Sequence, residues 1–273
     1  MKRVGFTLVC CLVLAGPARA AQPIDFEMAG PAGAAAAKAG DYRSPVLRAR
    51  HGFDLVGMRW AGGVRPDISL RARKAGGRWT KWTRVPADPD DAPDKGAAEG
   101  SPRGFSAPVW TGDADFVQYH MSRRVAGLRL HFVSIPRAAR RAMASRKAAD
   151  ETGTGQPAIQ PRSAWGAEDC VPRGKPVYGD VQAALIHHTV SANDYTAAEV
   201  PSIILSICRY HRNSNGWNDI GYNFLVDKFG TLWEGRAGGM DQAVVGAQAQ
   251  GYNSHTTGIA DIGTHQDLPE TSV

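Results

Sequence analysis

Apolar and polar positions alternate with a period of two through most of the first half of the chain. Phe53–Trp60 is one such run. In the next, Ile68, Leu70 and Ala72 fall on one face while Ser69, Arg71 and Arg73 fall on the other, as in a half-buried strand. Gly76-Gly77 turns the chain into Trp79–Val85, and Phe116–Tyr119 and Val125–Val133 complete the set. Short strands broken by frequent turns predict an antiparallel, β-sandwich-like domain over residues 45–135. Asp, Pro and Gly crowd positions 86–104, which predicts a long loop. Trp60, Trp79, Trp82 and Trp110 suit core and turn positions, with a sugar-stacking platform as the alternative. No constellation of catalytic residue types stands in this half.

The second half changes period. Val181–Thr189 is a nearly continuous apolar run ending in His187 and His188, the pattern of a buried central strand. Thr196 and Glu199 have capping-box spacing ahead of Val200, Ile203, Ile204, Ile207 and Tyr210, which predicts a helix that ends near Asn213–Gly216. Pro201 sets the start of its regular part, because proline is tolerated only in the first turn. Ile220–Val226 and Thr231–Glu234 flank a turn at Lys228-Phe-Gly230 and predict a hairpin, with a further strand near Thr257–Ile262. The whole is expected to be α+β, the β-rich domain preceding a mixed α/β domain over 159–273 whose central sheet is flanked by helices. Residues 22–44, rich in Ala and Gly, read as a flexible lead-in. Residues 136–158 read as a basic, Ala-rich linker, solvated or bound to anionic wall polymers.

The N-terminus adds a compartment. Lys2 and Arg3, the apolar run Val4–Leu14 and Ala18-Arg-Ala20 have the order of a secretory signal peptide over 1–21. The apolar run is too short to span a bilayer, and no later segment is long enough, so no transmembrane segment is expected after cleavage. Export leaves Cys170 and Cys208 as the cysteines of the mature chain, and an oxidising compartment predicts that they form a disulfide. A net charge of +6 and a pI near 9.3 suit a surface rich in anionic wall polymers and equally a soluble protein. A secreted, cell-wall-associated protein is the expectation; a nucleic-acid partner is not.

Two adjacent histidines on a strand point to opposite faces, so at most one of His187 and His188 can serve a given metal ion. From Pro161 onward the motifs become specific. They are Arg162-Ser-Ala-Trp-Gly-Ala, Leu185-Ile-His-His-Thr, Tyr210-His, Gly216-Trp-Asn-Asp-Ile-Gly-Tyr-Asn-Phe-Leu-Val, Glu234-Gly-Arg-Ala-Gly-Gly, Val245-Gly-Ala-Gln-Ala-Gln-Gly-Tyr-Asn and Thr257-Gly-Ile-Ala. In that order they resemble the family joining peptidoglycan recognition proteins to the zinc-dependent type 2 N-acetylmuramoyl-L-alanine amidases related to phage lysozyme-type amidase. The resemblance implies a substrate groove over a mixed sheet, and hydrolysis of the amide between N-acetylmuramic acid and L-alanine. It implies His187 as a zinc ligand, Tyr222 as the catalytic tyrosine, and His188, His211, Gly216, Trp217, Arg236, Gln248 and Asn253 along the groove. Gly216-Trp217 with Arg236 implies diaminopimelate-type stems, because a guanidinium can grip the extra carboxylate with two hydrogen bonds. Zinc would acidify its water and polarise the carbonyl, with the Tyr222 hydroxyl on the water or the developing oxyanion.

A catalytic zinc takes three protein ligands and keeps one position open. In the resembled family the other two come from a later segment, which does not occur before Val273. The resemblance therefore implies an incomplete zinc site and a domain lacking its last helix. His265, His255 and Cys208 are weak substitutes, the first at an ordinary loop position, the second in an exposed turn, the third in the expected disulfide. Gln248 stands where many members carry His, and Asp261 places a charge inside the last strand that needs a partner. The alternative to an enzyme is a recognition module that binds muropeptides without turnover.

Overall fold

The computed structural model describes residues 22–31, 39–87, 91–100, 104–145 and 157–265, so the expected signal peptide lies outside the described residues. The first domain is one bent antiparallel sheet. It contains β1 (Ile24–Ala29), β2 (Ala39–Arg43), β3 (Leu47–Trp60), β4 (Ile68–Arg73), β5 (Thr83–Val85), β6 (Gly104–Phe105), β7 (Val109–Arg123) and β8 (Arg129–Ser134). The order is β1-β8-β3-β7-β4-β5, with β2 on β7 and β6 on β3. The long strands β3 and β7 make it sandwich-like. Their register breaks between Arg48 and Leu55, and β7 pairs with β3 through its first half and with β4 through its second. Irregular pairing of this kind bends and twists a sheet until its two halves face one another. Phe53, Val56, Met58, Ile68, Leu70, Val117, Tyr119, Met121 and Phe132 fill the space between.

Three expectations change here. Residues 22–44 are not all lead-in, because β1 and β2 lie within them, their apolar positions Phe26, Met28 and Tyr42 packing on the core. The strand expected over Trp79–Val85 shrinks to Thr83–Val85. The tryptophans divide: Trp60 and Trp110 are buried, whereas the guanidinium of Arg71 stands 4.7 Å from the rings of both Trp79 and Trp82. Cation–π stacking thus holds two aromatic rings outside the core.

Within the stretch read as a linker, α1 (Arg137–Ala144) is a packed helix. Ala139 and Met143 are buried against the second domain, and Arg140 pairs with the buried carboxylate of Asp54 in β3. The second domain comprises β9 (Ile159–Gln160), β10 (Ala183–His188), α2 (Val200–Asn213), β11 (Phe224–Val226), β12 (Leu232–Glu234) and β13 (Thr256–Asp261). Its sheet runs β10-β13-β11-β12-β9, antiparallel only between β11 and β12. The capping box forms, with the Thr196 amide donating to the Glu199 carboxylate at 2.8 Å, and Pro201 sits in the first turn of α2. The Cys170–Cys208 disulfide is present and fixes α2 to the segment after Trp165.

The run 181–189 does not become a buried central strand. β10 is at the sheet edge, its only partner among the described residues is β13, and Ile186 is 79% exposed. A continuous apolar run reports burial on both faces, and here neither face is fully buried.

α2 carries apolar residues nearly all round because it is covered on both sides. Ile204, Leu205 and Cys208 sit in a cluster with Leu225, Trp233 and Ala260 of its own domain and with Leu55, Trp110 and Val133 of the first. One core therefore runs through both domains. The fully buried Tyr210 completes the joint, its hydroxyl 3.1 Å from the Met58 carbonyl and 3.0 Å from that of Ser106. At the other side Arg209 pairs with Asp25 of β1 at 2.8 Å.

Candidate functional site

Four pieces of backbone aim side chains at one face of the second domain. The end of β10 presents His187, and the residues just before β11 present Tyr222. The turn after α2 presents Trp217, and the residues just after β12 present Arg236. Gly216 has φ +78°, a left-handed conformation that L side chains avoid, and it lets the chain double back so that the Trp217 amide donates to the His211 carbonyl at 3.0 Å. The fold so stacks the rings of His211 and Trp217 with centroids 4.4 Å apart, with Tyr222 5.7 Å from His211.

His211 is buried, and its Nδ1 accepts the Gly221 amide at 3.1 Å, which fixes the tautomer with the proton on Nε2. Burial drives its pKa down to about 3, so the imidazole is neutral across the physiological range. His187 and His188 have different surroundings. His187 has Nδ1 3.3 Å from an Asp91 carboxylate oxygen, which raises its pKa against the effect of burial. His188 lies beside the His265 ring, at 6.1 Å between centroids, and burial followed by that neighbour lowers its pKa. The Tyr222 hydroxyl donates to Asp91 at 2.8 Å, and burial plus the carboxylate charge push its pKa well up. A cavity of about 320 Å³ opens here, lined among others by Asp91, Pro108, His187, His188 and Tyr222.

The other residues expected along the groove divide into two groups. Trp217, Arg236 and Asn253 reach the same face. Gln248 does not: it is fully buried, its side-chain amide donating to the Thr256 hydroxyl at 3.1 Å, and its backbone amide is held by Asn253. It braces the turn that carries Asn253. His255 is exposed and His265 pairs with Asp261 at 3.0 Å, which supplies the partner that the strand carboxylate needed.

Sequence reasoning missed the groups that face this site from the first domain. Residues 91–100, in the segment read as a long loop, lie along it. Asp91 meets His187 and Tyr222; Asp94 accepts from Asn253 at 2.7 Å and from the Gly251 amide at 2.6 Å; Glu99 accepts from the Asn218 amide at 2.7 Å and pairs with Arg236. Phe105 stands edge-on to Trp217 at 6.0 Å. The density of Asp, Pro and Gly in 86–104 marked a loop; nothing local to it marked its destination.

The fit to zinc is partial. His187 and Asp91 bring one imidazole and one carboxylate together, and Nε2 of His187 is buried without a partner among the described residues. Two donors fall short of the three that a catalytic zinc takes, so no step is derived through the metal. Cys170, Cys208 and Asp219 also converge, but disulfide sulfurs are not thiolates, and Asp219 is already engaged with Arg162 at 3.0 Å and with the Ile220 and Ala237 amides.

Two families match the chain. One described as Rv3811 N-terminal galactose-binding domain-like covers residues 17–158, and N-acetylmuramoyl-L-alanine amidase covers residues 177–273. Human N-acetylmuramoyl-L-alanine amidase is 34% identical over 142 residues, 50% of this chain and 24% of the relative. Drosophila melanogaster peptidoglycan-recognition protein LE is 38% identical over 113 residues, 41% of this chain and 32% of the relative. The structure of bumblebee PGRP-SA is 36% identical, with a TM-score of 0.36, covering 41% of this chain and 64% of that one. The chain thus spans about a quarter and about a third of the length of these two curated relatives. The chain belongs to the family described as Rv3811 N-terminal galactose-binding domain-like, whose model spans just over half of it, and its second half matches the N-acetylmuramoyl-L-alanine amidase domain and is similar to peptidoglycan-recognition proteins.

Proposed function

We propose that this protein binds peptidoglycan stem peptides in the groove defined by His187, Tyr222, Trp217, Arg236 and Asn253. On this reading its reaction is hydrolysis of the amide between N-acetylmuramic acid and L-alanine. The observation that carries it is the convergence of a cation, an aromatic wall and a histidine–tyrosine pair on one face, from motifs spread over about fifty residues. Arg236 has the chemistry for a stem-peptide carboxylate, and a diaminopimelate stem offers one more than a lysine stem. Trp217 supplies a flat apolar wall. Tyr222, with its phenol kept protonated, can donate a hydrogen bond to an oxygen that gains negative charge as the amide carbon becomes tetrahedral.

Zinc is the cofactor that this chemistry uses in the family, as a Lewis acid and a source of activated water. His187 is the residue of this chain that would hold it. The compartment belongs to the same proposal: a secreted, wall-associated protein meets peptidoglycan where its disulfide is stable.

The test is titration of the protein with diaminopimelate-type and lysine-type muropeptides, followed by incubation with added zinc and chromatography for released stem peptide. Binding that prefers the diaminopimelate form, and that falls at least tenfold in Arg236→Ala, is expected. Release of stem peptide should be lost in Tyr222→Phe. Equal binding of both stems, unaffected by Arg236→Ala, refutes the assignment of the groove.

A further inference from the structure

The groove is occupied in this structure, and by the protein itself. We propose that residues 91–100 are an intramolecular competitor, an acidic strap that must leave before a stem peptide enters. This rests on the reading above, that the groove is the peptide site.

Three observations carry it. First, the strap runs along the groove, touching His187, Tyr222, Asn253 and Arg236 in turn. Second, it does so with carboxylates placed against the groups suited to an anionic peptide. Glu99 lies on Arg236 and the Asn218 amide, and Asp94 lies on Asn253 and the Gly251 amide. The side chain of Arg236 is only 4% exposed, its guanidinium shared between Glu99 and the Ile220 carbonyl. Third, the strap adheres by polar contacts. Its buried apolar residues are the small Ala92 and Pro93, and their carbonyls accept from Asn253 at 2.8 Å and Gln250 at 3.1 Å. An anionic peptide can replace such contacts one for one, whereas an apolar interface would have to be torn open.

The base of the strap is fixed. The loop leaves the first sheet at β5 and returns at β6, and Ala87 pairs with Ser106 across its neck. Release therefore does not require the domains to part, because α2 and Tyr210 hold them together at a separate joint. A competing segment lowers apparent affinity by the fraction of molecules with the groove open. The first domain acts as a gate on the second.

The experiment compares wild-type protein with the triple variant Asp91→Ala, Asp94→Ala, Glu99→Ala, using a soluble diaminopimelate-type disaccharide tetrapeptide as the probe. Affinity is read by calorimetry and backbone exchange by mass spectrometry. The variant is expected to bind at least about tenfold more tightly. In wild-type protein, saturation with the muropeptide is expected to speed exchange in 91–100. Neutralising Asp41, Asp67 and Asp194 instead, away from the groove, should leave affinity unchanged. Equal affinity of wild type and variant, an equal gain from the control, or slower exchange in 91–100 on binding each overturns the proposal while leaving the peptide site standing. Should the variant expose the Asn218 and Gly251 amides and neither protein bind muropeptide, the assignment of the groove fails and the competitor falls with it.

Discussion

Tyr210 is where the two domains are locked, and substitutions there and at Gly57 should separate the joint from either domain's own stability. Tyr210 is fully buried with its hydroxyl between two carbonyls, that of Met58 in β3 and that of Ser106 just after β6. A phenol has one proton, so it satisfies one carbonyl fully and the other in part. Tyr210→Phe keeps the ring and removes the donor. The lost hydrogen bond and the stranded buried carbonyl together should cost about 1–3 kcal/mol. Gly57 tests the same contact from the opposite side. A Cβ there would stand 2.2 Å from a Tyr210 ring carbon, far inside van der Waals contact. Gly57→Ala must push α2 off the first sheet, at a cost of about 1–3 kcal/mol. The two are coupled: in a Tyr210→Ala background the space is vacant, and adding Gly57→Ala should cost under about 0.5 kcal/mol. Denaturant unfolding followed by tryptophan fluorescence measures all of these. Losses from Gly57→Ala that are equal in both backgrounds would show that the clash is not with Tyr210 and refute the docked arrangement.

Other expectations follow from single contacts. Replacing both Cys170 and Cys208 by Ala opens a bridge spanning 38 residues, which the chain-entropy relation sets at about 4 kcal/mol of stability, seen as a lower denaturant midpoint. Asp219→Ala removes the carboxylate partner of Arg162 and of two amides, leaving a largely buried guanidinium with the Gly235 carbonyl but no counter-charge there; a loss of about 3–5 kcal/mol is expected in the same assay. His211 gives a pH signature. Folded, it titrates near 3; unfolded, near 6.5, so between these values the unfolded chain holds a proton that the folded one refuses. Its contribution is complete above pH 6.5 and is lost as the pH falls, by roughly 1.4 kcal/mol per unit. His211→Gln should therefore show a shallower fall in melting temperature below pH 6.5 than the wild type, and parallel curves would remove His211 as the cause.

Much of the fold was legible because its signals are local. The alternation at Ile68–Arg73 matches β4 residue for residue, and Thr196 with Glu199 marks the entry to α2 because a capping box needs only its own four residues. The failures are of a different kind. An apolar run such as 181–189 reports what a strand can bury, not what it meets, so the edge position of β10 was out of reach. The same holds for 136–158. Ala139 and Met143 are spaced for one helix face, but only the neighbouring α2 makes that face worth burying.

The site divides along the same line. Each groove residue on the second domain stands in a motif whose neighbours set its backbone: Gly216 turns the chain for Trp217, and Gly235 leads into Arg236. Such residues can be read singly. Asp91, Asp94 and Glu99 lie more than 90 residues before the nearest of the groups they face, in a segment whose composition says only that it is not a strand or helix. Their one common property, negative charge, is shared with every solvated loop. It acquires meaning from a donor set that only the tertiary fold assembles, an arginine, an asparagine, a histidine and a tyrosine in a row. A carboxylate buried against a guanidinium would be a structural pair in most proteins. Three carboxylates spaced along a cationic, hydrogen-bond-donating groove form a ligand-like pattern, and that the chain supplies the ligand itself is why gating, and not stability, is the property to measure there.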